Sequence, residues 1–98
     1  MSVFVRAEIL VGAELHADPL SERRRVMAVC GNLPVVLPDE RLADTYAGVH
    51  ASLLRQRTLL ATMDLLIACV ALNEGAPLLT ANQGHFARIH GLRVLEYS

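Results

Sequence analysis

The chain has 98 residues, a formal net charge of −1, and a composition that is 53% hydrophobic and 19% charged. That length holds one domain, 1–98, around a single core; the charge supplies no global field for nucleic acid; and the apolar fraction exceeds the usual ~45–50%, leaving the surface short of polar cover. No apolar run approaches the ~18–20 residues that span a bilayer, and no basic-then-apolar leader opens the chain, so neither a membrane segment nor a signal peptide is expected.

In chain order, Val3, Phe4 and Val5 are β-branched or aromatic, and residues 2–5 read as the tail of a strand. A helix is expected over 6–15. Asp18-Pro19 marks the next helix start, with Asp as cap and Pro in the first turn. It should run to about Cys30 and stop at Gly31-Asn32. The three consecutive arginines of that helix, Arg23, Arg24 and Arg25, read either as a solvated face or as a phosphate-contacting patch. All nine basic residues of the chain are arginine, and the guanidinium fork matches phosphate oxygens. Residues 33–37, with Val35 and Val36, read as a short buried strand. Pro38-Asp39 then opens a third helix over about 40–57. Its apolar positions Leu42, Tyr46, Val49 and Leu53 recur at helical spacing and should face a core or a homodimer partner.

The segment 61–72 is apolar on nearly every side, so its helix must be packed all round. Thr62 is placed to cap it, and Gly75 can take the left-handed conformation that ends it. Asp64 falls in its first turn. There it serves either as a dipole-stabilising carboxylate, worth ~0.3–1 kcal/mol, or as a catalytic or metal-binding acid. A strand is expected over 77–80, then a polar loop over 81–84, one helical turn near 85–88, a break at Gly91, and a closing strand over 93–97. Cys30 and Cys69 read as small buried hydrophobes in a reducing compartment.

Helices alternating with short apolar strands define an α/β chain with a mostly parallel sheet. Ligand sites in such sheets gather at the carboxyl ends of strands and the first turns of the helices that follow. Glu8, Asp64, Asn82 and His85 all fall at such places. Paired carboxylates suit a hard divalent ion, Mg2+ or Mn2+, and such an ion serves phosphodiester hydrolysis. No Gly-x-Ser-x-Gly turn or His-Glu-x-x-His helix competes.

Four ordered segments carry a family resemblance. Ser2-Val3-Phe4-Val5-Arg6-Ala7-Glu8-Ile9-Leu10-Val11-Gly12 is similar to the strand-then-Ala-Glu-Leu-x-x-Gly segment of PIN-domain ribonucleases. Met63-Asp64-Leu65-Leu66-Ile67-Ala68 resembles their Asp-x-x-Ile-Ala-Ala helix start. Leu78-Leu79-Thr80-Ala81-Asn82-Gln83-Gly84-His85-Phe86 resembles their Leu-Val-Thr-x-Asn-x-x-Asp-Phe loop, and Gly91-Leu92-Arg93-Val94 their closing strand. In order and spacing the chain resembles the VapC-type toxins of bacterial toxin–antitoxin pairs.

The resemblance implies a PIN-like three-layer fold and a cytoplasmic, Mg2+-dependent (or Mn2+-dependent) endoribonuclease toxin. Its expected partners are an RNA substrate, a cognate antitoxin, and a second copy in a homodimer or higher association. Glu8 and Asp64 would be catalytic and metal-binding acids, Asn82 a further metal ligand, and Thr80 the residue orienting its loop. His85 would be a substitute ligand where the family often has an acid. The family's first central strand and its Asp find no match before Glu8, so the pattern reads as N-terminally truncated. On that reading the enzyme is impaired or inactive, or is a catalytically dead remnant that binds only an antitoxin or another PIN subunit. A missing strand would leave unpaired sheet edges and remove buried side chains worth ~1.5–3 kcal/mol each. The chain alone is therefore expected to be unstable, aggregated or rescued by association.

Overall fold

The computed structural model describes residues 1–80 and 83–96. They divide into two compact units, Met1–Leu37 and Pro38–Ser98.

The first unit is a pair of packed helices, α1 (Val3–Glu14) and α2 (Pro19–Cys30). The strand expected over 2–5 is instead the start of α1. Val5, Ile9 and Ala13 follow one another every four residues on the less exposed side of α1, and Ala13 is buried. The Ser2 hydroxyl accepts the Val5 N–H at 3.2 Å and so caps the helix. Helical periodicity and the cap outweigh the strand preference of the β-branched pair. Strand character survives only as a single parallel bridge between Ser2 and Val36, with Val3 N–H donating to the Val36 carbonyl at 2.9 Å. The strand expected over 33–37 shrinks to that same bridge.

The expected start of α2 is borne out. The Asp18 carboxylate accepts the Ser21 N–H at 3.3 Å, and Pro19 takes the first helical position, where its missing N–H costs nothing. The helix closes on Gly31, where a Cβ would collide with the Met27 carbonyl. Within this unit Arg25 Nε donates to Glu22 Oε1 at 3.0 Å, and Arg6 donates to the Met27 sulfur at 3.6 Å.

The second unit contains α3 (Arg41–Arg55), α4 (Thr62–Glu74), β1 (Leu78–Thr80), α5 (Gln83–Phe86) and β2 (Val94–Glu96). Asp39 contributes to the start of α3 from one residue before the cap position: its Oδ1 accepts the Arg41 N–H at 2.9 Å. Ala61 rather than Thr62 holds the cap position of α4. Thr62 is already helical, and no side chain closes that end. The extended residue is the one that leaves its carbonyl for the first helical bond, and here Ala61 (ψ 144°) accepts from Leu65 N–H at 3.0 Å. Gly75 ends α4 with φ +63°, as expected, and Ala76 N–H reaches back to the Ala71 carbonyl at 3.0 Å.

From Met63 to Asn73 every residue of α4 is buried or half-buried. Leu65 and Ala68 form a core with Leu53 of α3, Leu78 of β1, Phe86 of α5 and Ile89. Tyr46 and Val49 pack against that core, which is where helical spacing placed the stripe of α3. At the other end of the helix pair, the Thr45 hydroxyl meets Asn73 Oδ1 at 2.6 Å and Arg41 Nη1 donates to the Asn73 carbonyl at 3.1 Å.

β1 and β2 pair in parallel, with Leu78 opposite Val94 and Leu79 opposite Leu95. A parallel pair needs a crossover, and α5 with the turn after it provides one. Among the described residues no helix is long and apolar enough to cross a membrane.

The core assigns two consequences. Leu65→Ala should lower unfolding stability by about 2–5 kcal/mol, read as a shifted denaturant midpoint, while Leu79→Ala, on the exposed strand face, should stay within about 0.5 kcal/mol. Arg25 holds the Glu22 carboxyl below its ordinary range, chiefly through their side-chain hydrogen bond, and Arg41 does the same for Asp39. A depressed folded-state pKa gives stability that is present above the unfolded value and lost as pH falls through the folded one. Stability should therefore decline as pH drops below the ordinary values of 4.5 and 3.8. A Glu22→Gln, Asp39→Asn double variant followed from pH 6 to pH 3 should lose part of that decline. Because both pairs are exposed, the effect should be small and shrink with added salt.

Candidate functional site

Asp64 stands in the first turn of α4, half-buried, at the positive end of the helix dipole. Thr80 ends β1 and is half-buried. His85 lies on α5, exposed, with its ring 6.5 Å from that of the buried Phe86. These three residues belong to the second unit. Glu8 belongs to the first, where it is exposed on the second turn of α1. Its expected place just after a strand is corrected, because the chain is helical from Val3. Asn82 lies outside the described residues.

Among the described residues no three of His, Cys, Asp and Glu gather as a group able to hold a metal ion. Magnesium, however, is ordinarily held by one or two carboxylates, with water and substrate oxygens completing its shell. Glu8 and Asp64 offer that donor type. Neither carboxylate has a hydrogen-bond or ion-pair partner among the described residues, whereas Glu22, Asp39 and Glu74 are tied to arginines. Each carboxylate is thus of the donor type a hard divalent ion takes.

His16 is engaged otherwise: its Nδ1 accepts the Asp18 N–H at 3.0 Å and its Nε2 lies 3.5 Å from Glu22. In the arginine run, Arg25 is held by Glu22, while Arg23 and Arg24 are exposed.

A groove of about 320 Å³ opens in the second unit along α3 and the turn after α5. Sequence reasoning passed over it. Its signal in the sequence is the spacing of Asp44, Gly48 and Ser52, a small or polar residue every four positions on α3, beside the apolar stripe rather than on it.

Residues 1–92 match the family model described as PIN domain, and the chain belongs to that family. Over 54 residues it is 46% identical to Ribonuclease VapC1 of Rickettsia felis, a match covering 55% of this chain and 40% of that protein. The chain thus matches less than half the length of that curated relative. The structure is similar to VapBC2 from Rickettsia felis bound to a DNA fragment from their promoter, with a TM-score of 0.91 at 24% identity. That likeness covers 99% of this chain and 73% of the other. It is also similar to DNA-bound VapBC from Salmonella typhimurium, with a TM-score of 0.89 at 28% identity over 99% of this chain and 74% of that one. These likenesses bear out the expected PIN-like α/β fold with its short parallel sheet.

Both cysteines are free. Cys69 is fully buried, and burial pushes its thiol pKa up. In native protein a thiol-reactive disulfide reagent should consume Cys30, which is half-buried, well before Cys69; unfolding should equalise the two rates.

Proposed function

We propose that this chain is a VapC-type endoribonuclease toxin in which residues 1–98 act as one PIN-like domain. The carrying observation is the family match over residues 1–92, joined to 46% identity with a protein named a ribonuclease. Glu8 and Asp64 would hold Mg2+ or Mn2+ through carboxylate oxygens, with the Asn82 amide oxygen as a further ligand and His85 as a substitute where an acid is absent. Such an ion, when bound, supplies an activated water and offsets phosphate charge.

The chain's own residues do the positioning. The close packing of α4 fixes the backbone at Asp64, so that its carboxylate keeps one address at the helix entrance. Thr80 closes β1 just before Asn82 in the chain, which supports its place as the residue orienting the loop to Asn82 and His85. In this reading the protein acts in the cytoplasm on RNA, is restrained by a cognate antitoxin, and associates as a homodimer or higher oligomer. The solved relatives named VapBC support the antitoxin.

A second reading has its own support. No three of His, Cys, Asp and Glu gather as a metal-holding group among the described residues, which favours a remnant without catalysis that binds an antitoxin or another PIN subunit. Cleavage of single-stranded RNA by the 98-residue chain, with Mg2+ or with EDTA, separates the two. The toxin reading expects Mg2+-dependent cleavage that Asp64→Asn lowers by about 100-fold or more with the melting temperature retained. Absence of cleavage by the parent chain, alongside antitoxin capture, is the outcome of the second reading.

A further inference from the structure

The groove on the second unit lies outside the proposed catalytic set. One wall is a stripe of α3 carrying Asp44, Gly48 and Val49; the other carries Arg88, the buried Ile89 and His90, which follow α5. Its volume of about 320 Å³ is at the small end of ligand pockets, ~300–1,000 Å³, which suits one nucleotide and is too small for a docked helix. The groove is open at Gly48, where an added Cβ would meet nothing within 4 Å. Asp44, Arg88 and His90 have no hydrogen-bond or ion-pair partner among the described residues.

We propose that this groove holds one nucleotide of a single-stranded RNA, with a phosphodiester at Arg88 and His90 and the ribose hydroxyls turned to Asp44. The guanidinium fork matches phosphate oxygens, and imidazole offers a second N–H donor. A carboxylate on the opposite wall repels a free inorganic anion and calls for a hydroxyl donor, which the 2′-OH of RNA supplies. Val49 and Ile89 give the sugar or base an apolar face. Arg88 and His90 follow α5, the helix that carries His85, within a few residues in the chain. The inference rests on RNA being the substrate, as proposed above, and assigns where a nucleotide of it is held.

The test measures anisotropy of a fluorescein-labelled single-stranded RNA, and of the same sequence as DNA, with the full chain in EDTA so that nothing is cleaved. Gly48→Leu fills the groove at a helical position with open space around it, so it should keep or raise the melting temperature while reducing RNA affinity about tenfold. Arg88→Ala should also weaken binding about tenfold and lower the slope of log affinity against log salt by about 0.7, the loss of one phosphate contact. Asp44→Ala should reduce the preference for RNA over DNA. Unchanged RNA affinity in a folded Gly48→Leu protein, or an unchanged salt slope in Arg88→Ala, overturns the assignment and is what a groove used by a protein partner would give. The catalytic reading fails separately. An inactive chain whose RNA binding still depends on Arg88 refutes cleavage alone; an active chain whose binding ignores these substitutions refutes the groove alone.

Discussion

Burial of α4 on all sides is the constraint on which the second unit depends. A helix with no solvated face from Met63 to Asn73 can persist only if other elements supply apolar surface around it. Leu53 comes from α3, Leu78 from β1, Phe86 from α5 and Ile89 from the turn beyond. All four are buried in one core with Leu65 and Ala68, so removal of any one leaves a void that close-packed neighbours refill only in part. Asp64 is the one carboxylate in the first turn of this enclosed helix.

The polar contacts refine that arrangement without driving it. Arg41 joins Asp39, the Asn73 carbonyl and Glu74 at the surface, and such exposed pairs are worth little on their own. Their effect is directional, tying the beginning of α3 to the end of α4. Thr45 and Asn73 do the same with neutral groups. Around α3 core contact gives way to an open wall: Val49 packs on the core while Gly48, one position before it, faces empty space.

Several elements were legible in the residues alone because their signals are local. Asp18-Pro19 opened α2, Gly75 closed α4 in the left-handed region, and the three- and four-residue recurrence of apolar positions placed the inner face of α3. The strand reading at 2–5 failed for a non-local reason. Val3 and Val5 have strand preferences, but a serine cap and the packing of Ile9 and Ala13 set the backbone as helix, and Val36 was left one partner rather than a ladder. Thr62 failed by one residue, since the cap is the last extended residue and not the most suitable side chain.

The candidate site divides along the same line. Residue chemistry and motif order singled out Glu8 and Asp64 as donors for a hard cation, because carboxylates on short-spaced motifs are visible without coordinates. Chain order could not reveal that Glu8 is a mid-helix residue, nor that Asp44 and Gly48 face Arg88 and His90 across a groove. By itself the sequence determined the family and the helices with caps or glycine stops, all written in neighbouring residues. Tertiary structure decided which apolar segments became strands and which polar residues meet, since ladders and grooves are made by residues tens of positions apart whose pairing only packing selects.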